Sequence, residues 1–419
     1  MAEKEKTILF IMPRLPFPAV SGRKTSLYHY CRILSEKMGY RLVVAAFLEG
    51  GDDPSDVPDF IDRLVVLPKI PAAEKIAYIM KESLILQRKP MQVCLYWSKN
   101  AKEIIDQLFD EEKPKYVIGD MVRSTEYIKD APAFRIADLD DLISLRYERQ
   151  LESDIDSINP YGAFLNTMPG VLQKILLFRP LKKWVLKHEI KLLREYEMEM
   201  GRVCEKTVFV AKKEAADFNR RLGMDKASAV PIGVDTDYYS YRKVGKSGDI
   251  IGFLGSMSVA HNDNAARHFI LDILPLIVKK NPAVKFTVIG GGASDELMKL
   301  ASQNVEFTGR VGDVREFLER CKVFVCPMTF GSGIKTKNLE AMAMGLPVVT
   351  TSIGAENIGA EPEKEWIVAD DNKEFADAVL ALLADEVKRD EIGYCASNFI
   401  RQNFTWDAAV CCFSELLGE

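Results

Sequence analysis

At 419 residues the chain is too long for one compact core, and its size points to two or three domains. With 47% hydrophobic and 28% charged residues it has the make-up of a globular protein, which argues against general disorder. A net charge of −5 disfavours a broad nucleic-acid surface, and no run reaches the roughly eighteen apolar residues that a membrane span needs. The opening MAEKEKTILFIM has too short an apolar run for a signal peptide, so no leader is expected. The eight cysteines show no metal spacing: Cys321 and Cys326 lack histidine neighbours, and Cys411 and Cys412 are adjacent. They read as buried thiols of a reducing compartment.

Short apolar runs alternate with helical periodicity from end to end, the pattern of parallel α/β sheets. In the first half strands are expected at Thr7–Met12, Arg41–Phe47, Leu64–Leu67, Tyr116–Gly119, Phe134–Ala137 and Thr207–Val210. In the second half they are expected at Ile250–Leu254, Lys285–Ile289, Val305–Thr308, Val323–Cys326, Pro347–Thr350 and Trp366–Val368. The polar stretch Val234–Gly248 joins the halves. Each half reads as a Rossmann-like, doubly wound unit whose ligands sit at the C-terminal ends of the strands, and two such units facing each other would leave a cleft. The expected domains are 1–238 and 249–398, with 399–419 a helix returning toward the first.

The most informative stretch is Phe330–Thr351, FGSGIKTKNLEAMAMGLPVVTT. It reads as a glycine-rich loop, a helix from about Lys337 to Met344, and a tight Gly345–Pro347 turn into a strand. Gly331, Ser332 and Gly333 let the backbone come close to a ligand. The helix then turns its first amides toward that ligand, an anion site to which Lys335 adds a full positive charge. Glu340 lies one turn on, where a carboxylate can accept from two neighbouring hydroxyls. A cationic loop beside such a carboxylate suits a nucleotide-sugar.

These residues carry a resemblance to the GT-B glycosyltransferases, close to family 4, the retaining nucleotide-sugar-dependent enzymes. Its markers are Phe253–Met257 (FLGSM), Val288–Gly292 (VIGGG), Phe307–Val311 (FTGRV), Val325–Met328 (VCPM) and the loop–helix above; Met12–Gly22 and Pro231–Asp235 (PIGVD) continue it in the first half. Within the family the chain most resembles bacterial transferases that build exopolysaccharide and other cell-surface glycans. The resemblance implies a GT-B fold and transfer, with retention, from a nucleoside-diphosphate sugar to a glycan or lipid-linked acceptor. No cofactor, no metal and no nucleic-acid partner are expected.

By that resemblance the donor is held by Gly255, Ser256, Gly290, Gly291, Arg310, Pro327, Gly331, Ser332, Gly333, Ile334, Lys335, Asn338, Leu339 and Glu340, with Glu340 on the ribose hydroxyls. The family often carries two glutamates eight apart; Glu340 matches the second and Ser332 stands at the first. The basic pair that many members place after the first strand of the second domain is missing from Gly255–Asn264, so Lys335, with Arg310, is expected to take over the diphosphate. Where a histidine is common after the fourth strand, Asp120 stands, followed by Arg123. Asp120 and Asp140, with Lys335 and Glu340, are the residues expected to carry the chemistry. Gly22, Arg23, Arg123, Asp138, Asp141 and His261 are expected on the acceptor side or in the cleft.

Several segments keep alternatives open. Asp138, Asp140 and Asp141 (DLDD) follow a strand and can orient an acceptor hydroxyl, cap a helix near Leu142, or, less in keeping with the rest of the chain, hold a cation. Gly22–Lys24 contacts a ligand or merely opens a helix with two exposed cations. Gly290–Gly292 lacks the third glycine of a dinucleotide turn and suits a tight turn near a base. The basic, amphipathic segment 170–197 can lie on an anionic membrane, its lysines 182, 183, 187 and 191 at the headgroups, or can pack as an ordinary domain helix. The expected location is cytoplasmic, extending to the inner face of the cytoplasmic membrane. A GT-B-like sugar-nucleotide epimerase and a non-catalytic scaffold are the rival functions.

Overall fold

The computed structural model describes residues 6–19, 22–50, 52–153, 160–161, 165, 169–242, 248–331 and 333–418. The chain forms two compact units, Met1–Pro231 with Ala409–Glu419, and Ile232–Ala408. In the first, seven strands run as β1 (Thr7–Met12), β2 (Arg41–Ala46), β3 (Arg63–Val66), β4 (Tyr116–Asp120), β5 (Phe134–Asp140), β6 (Lys206–Phe209) and β7 (Ala227–Ala229). Their order in the sheet is β3-β2-β1-β4-β5-β6-β7, and every pairing is parallel. β1 and β2 read TILFIM and RLVVAA, near-continuous apolar runs, because helices cover both faces of such a sheet. The chain winds outward from β1 to β3 and returns to β4 on the other side, so the strand order reverses at β1 and β4.

The second unit repeats the plan with six parallel strands: β8 (Ile250–Leu254), β9 (Lys285–Ile289), β10 (Val305–Phe307), β11 (Val323–Cys326), β12 (Val348–Thr350) and β13 (Ile367–Val368). The order β10-β9-β8-β11-β12-β13 reverses at β8 and β11. Each strand expected from the sequence is present, with ends within one residue except in β5. That strand runs on to Asp140 through a register shift between Asp138 and Asp140. β7 was not expected, since Ala-Ser-Ala at a sheet edge has no apolar run to reveal it.

The amphipathic segment divides into the helices Gly170–Leu176 and Arg179–Val203, with Pro180 in the first turn of the second. Lys182, Leu186, Glu189, Leu193, Glu197 and Met200 lie along its buried face at steps of three and four. Lys182 is therefore withdrawn from the basic surface expected of it, because it falls in line with Leu186. No helix among the described residues is long and apolar enough to cross a membrane. The eight cysteines are free, and Cys31, Cys94, Cys204, Cys321 and Cys326 are buried; Cys411, at an outer position of the last helix, is exposed, contrary to the expectation of buried thiols.

Residues 232–242 belong to the second unit. Val234 N donates to Phe404 O at 2.7 Å, and the Trp406 ring occupies the space a side chain on Gly233 would need. The last helix, Trp406–Leu417, adds Phe413 against Tyr30 (centroids 5.2 Å apart), and Tyr116 Oη donates to Leu417 O at 2.7 Å within the first unit. The helix Glu386–Asn403 lies on the helix Thr336–Ala343: Ser397 Oγ donates to Ala343 O at 2.9 Å, and a Cβ on Gly393 would come within 2.1 Å of Gly345 O. Gly393→Ala must therefore push backbone apart and is expected to cost about 1–3 kcal/mol. Gly312, whose Cβ would meet nothing within 4 Å, gives the matched control. Urea denaturation should show a lowered midpoint for Gly393→Ala and an unchanged one for Gly312→Ala.

Candidate functional site

The loops after β8, β9, β10 and β11 leave the same edge of the second sheet, at its order reversal. Gly290, at φ +126°, takes a conformation that side chains rarely adopt, and a Cβ there would come within 2.1 Å of Gly255 O. That close approach locks the β8 loop on the β9 loop, together with Gly255 N to Ile289 O at 3.0 Å and Met257 N to Gly291 O at 2.8 Å. Gly291 and Gly292 thus form a tight turn, and a side chain on Gly291 would meet Arg310, which is exposed.

The β11 loop is fixed from below by Thr351 Oγ1, which donates to Met328 O at 2.7 Å. Gly331 and Gly333 both have positive φ, +131° and +71°. Ser332 lies outside the described residues. The helix that follows is Thr336–Ala343, one residue earlier than expected, with Lys335 at its N-cap. Lys335 is 5% exposed and curls back so that its Nζ donates to Gly333 O at 2.7 Å. The ammonium is thus held over the glycine loop at the start of the helix, where Asn338 N donates to Lys335 O at 2.9 Å and the amides of Thr336 and Lys337 precede it.

Lys337 is a residue the sequence reading missed. It sits two positions after Lys335, a spacing that puts side chains on different helix faces, and that hid it. Its Nζ hydrogen-bonds Asn262 Oδ1, stands 4.7 Å over the Phe253 ring, and lies 3.2 Å from where a Gly255 side chain would begin. Burial, and the neighbouring charge of Lys335, hold Lys337 below its ordinary value. Two cations therefore converge where β8 and β11 diverge. Burial pushes the Glu340 carboxyl up to about 7, with Lys337 opposing. Tyr239 lies near enough that, after burial, Glu340 is the next influence raising its hydroxyl. Asn338 and Leu339 are fully buried; Asn338 Nδ2 donates to Gly354 O at 3.0 Å, tying the helix to the segment after β12. Pro327 is buried and Ile334 partly so, while His261 is partly exposed in the helix Ala260–His268 that follows the β8 loop.

The first unit brings a second cluster to the matching edge. Gly22 opens the helix Gly22–Arg32 after β1, and Arg23 reaches from it to the ends of β4 and β5. Its Nε donates to Asp120 Oδ1 at 3.0 Å, Nη2 to Asp138 Oδ2 at 2.6 Å, and Nη1 to Asp140 Oδ1 at 3.0 Å. Arg23 and Lys24 are thus ion-paired, Lys24 with Asp52, and do not form a solvated cationic start. Burial works against the Arg23 charge, and the three aspartates more than restore it. Burial pushes Asp138 up to about 7 despite Arg23, and raises Asp140 as well. Asp120 is fully buried, and its Oδ2 has no hydrogen-bond partner among the described residues. The backbone enters the left-handed region at Met121 (φ +54°) and Asp140 (φ +64°), on both flanks of the cluster. Asp141 stands apart, paired with Arg146; Arg123 also stands apart, its Nε on Gln92 Oε1 at 2.9 Å and its guanidinium over Tyr96. Among the described residues no group of three or more His, Cys, Asp or Glu side chains is arranged so that it could hold a metal ion.

Residues 248–385 match the family model described as glycosyl transferases group 1. Among curated proteins, the chain is 24% identical over 258 residues to an uncharacterized 44.6 kDa protein in the cps region of Klebsiella pneumoniae, covering 59% of this chain and 63% of that one. It is 28% identical over 192 residues to the capsular polysaccharide biosynthesis glycosyltransferase CapM of Staphylococcus aureus, covering 43% and 49%. The match spans less than two thirds of either relative. Among solved structures, sucrose-phosphate synthase from Thermosynechococcus elongatus superposes with a TM-score of 0.68 at 14% identity, over 99% of this chain and 98% of that one. HepE from Anabaena, in complex with UDP, gives 0.63 at 14% identity over 98% and 99%. The stretch that matches the family model lies within the second unit, and the chain as a whole has the GT-B fold.

Removing Arg23 would strand three buried carboxylates. Arg23→Met is expected to cost about 3–5 kcal/mol at pH 8. The loss should shrink toward pH 5.5, because Asp138 and Asp140, both raised by burial, then bind protons and no longer repel. Urea denaturation at the two pH values measures both effects.

Proposed function

We propose that the protein is a glycosyltransferase that moves a sugar from a nucleoside-diphosphate sugar, with retention, to a glycan or lipid-linked acceptor in bacterial surface-polysaccharide synthesis. The observation that carries this reading is the convergence of Lys335, Lys337 and the helix N-terminus on the glycine-bearing loops after β8 and β11. A diphosphate is the ligand that such a crevice suits, and Glu340 is placed one turn on to accept from ribose hydroxyls. The family match over 248–385, the capsular relative and the UDP complex of HepE support the donor class and the pathway.

In the proposed reaction the acceptor oxygen bonds to the anomeric carbon as the bond from that carbon to the diphosphate oxygen breaks. The electron pair goes to the diphosphate, whose growing charge Lys335, Lys337 and the helix amides stabilise. The acceptor's proton passes to the departing phosphate oxygen. Arg310 is assigned to the outer phosphate side and Gly255, Ser256 and Gly290–Gly292 to backbone contacts with the nucleotide. The Arg23–Asp120–Asp138–Asp140 cluster orients the acceptor hydroxyl in this reading, and no resident metal or cofactor is assigned. The enzyme would work in the cytoplasm at the inner face of the cytoplasmic membrane, with the segment 170–197 as its lipid contact.

Lys335→Ala should lower turnover roughly a hundredfold or more, a few kcal/mol of charge stabilisation, while Glu340→Ala should act mainly on donor affinity. Steady-state kinetics on a nucleotide-sugar panel separates them, and unchanged turnover in Lys335→Ala removes the assignment. Because burial pushes Glu340 up to about 7 and the ionised form is the one that accepts two hydroxyls, donor affinity should weaken as the pH falls from 8 to 6. Calorimetric titration should show that slope in the wild type and a flat profile in Glu340→Gln.

A further inference from the structure

The first unit holds a cavity of about 290 Å³ between the helical stretch 72–85 and the helix Arg179–Val203, with Met91 among its walls. Three of the polar side chains on its walls, Glu189, His188 and Tyr161, are engaged within the protein. Both Glu189 carboxylate oxygens accept backbone amides, from Met91 at 2.7 Å and Gln92 at 2.9 Å. His188 Nε2 is 2.8 Å from Ser83 O, and Tyr161 Oη donates to Leu176 O at 3.2 Å. What remains is the apolar wall of Ile76, Ile79, Met80, Leu181, Trp184 and Val185. A cavity of this size whose described walls are mainly apolar favours an apolar guest over water.

The surroundings of the cavity identify the guest. Ile76, Met80 and Trp184 line it and are yet 47%, 48% and 56% exposed, and Phe178 stands exposed nearby in the chain. Trp184 stacks on His188 with ring planes 3° apart, which fixes its orientation. From 170 to 188 the sequence has four exposed cations, Lys174, Arg179, Lys183 and Lys187, and no acidic residue; on the facing segment Arg88 is exposed, as is Lys81, whose Nζ lies 3.4 Å from Glu82 Oε1. Apolar side chains ringed by cations complement an anionic bilayer surface, where chains lie below charged headgroups. We propose that this cavity receives an acyl chain of an anionic phospholipid, so that the first unit docks on the bilayer by admitting a lipid chain as well as by surface contact. The proposal rests on the membrane contact put forward above.

The test uses the full chain with vesicles of phosphatidylglycerol whose chains are brominated at mid-length, and with phosphatidylcholine vesicles brominated alike. Trp184 emission, taken as wild type minus Trp184→Phe, should fall at least twofold on phosphatidylglycerol and little on phosphatidylcholine. Met80→Glu puts a carboxylate on a half-exposed position of the cavity wall; circular dichroism checks that it folds. That variant should still sediment with phosphatidylglycerol vesicles but lose the quenching. Sedimentation of the wild type without quenching of Trp184, or equal quenching in Met80→Glu, overturns the cavity proposal and leaves surface contact standing. Absence of sedimentation overturns both. Transfer to a water-soluble acceptor, measured alongside, reports on the enzymatic reading independently, because Met80 and Trp184 lie in neither ionic cluster.

Discussion

The second unit's site depends on where one eight-residue helix, Thr336–Ala343, is held. Such a helix has little stability of its own and takes its position from what packs on it. Three contacts set it: Asn338 to Gly354 O, Ser397 to Ala343 O, and the bare backbone of Gly393 against Gly345. With the helix fixed, its first amides point at the glycine loop, Lys335 closes over that loop, and Lys337 reaches the β8 loop through Asn262. The cationic crevice is therefore a consequence of packing behind it.

The two units place opposite charge patterns on the same topological feature. In each, a parallel sheet puts every strand's C-terminal end on one edge, and the reversal of strand order parts two neighbouring loops. Beside β8 and β11 two lysines gather; at the ends of β1, β4 and β5 three aspartates gather around a single arginine. Both clusters are desolvated, so their charges act through a low effective dielectric and shift one another strongly. Asp138 and Glu340, each pushed up to about 7 by burial, are poised to change protonation near neutrality.

Much of this was legible in the sequence, and the failures have physical causes. Near-continuous apolar runs such as TILFIM and VFVC announce buried parallel strands, whereas Ala227–Ala229 has no run to announce it. The glycine loop, Lys335 and Glu340 were readable because residue type and spacing are local. Arg23, Asp120, Asp138 and Asp140 were each visible as candidates, but not their meeting, since the partners lie 97 to 117 positions from Arg23. Lys182 shows the opposite error: in a basic run every lysine looks solvated, and only the helix's rotation reveals which one falls in line with Leu186 and Leu193.

The central claim is that a diphosphate rests where the lysine-bearing loop meets its helix. The most direct measurement is a crystal structure of the protein grown with UDP and, separately, with GDP. The account predicts diphosphate oxygens within hydrogen-bonding distance of Lys335 Nζ or Lys337 Nζ and of the amides that open the helix at Thr336. A nucleotide bound elsewhere, with that crevice closed by protein side chains, would contradict it.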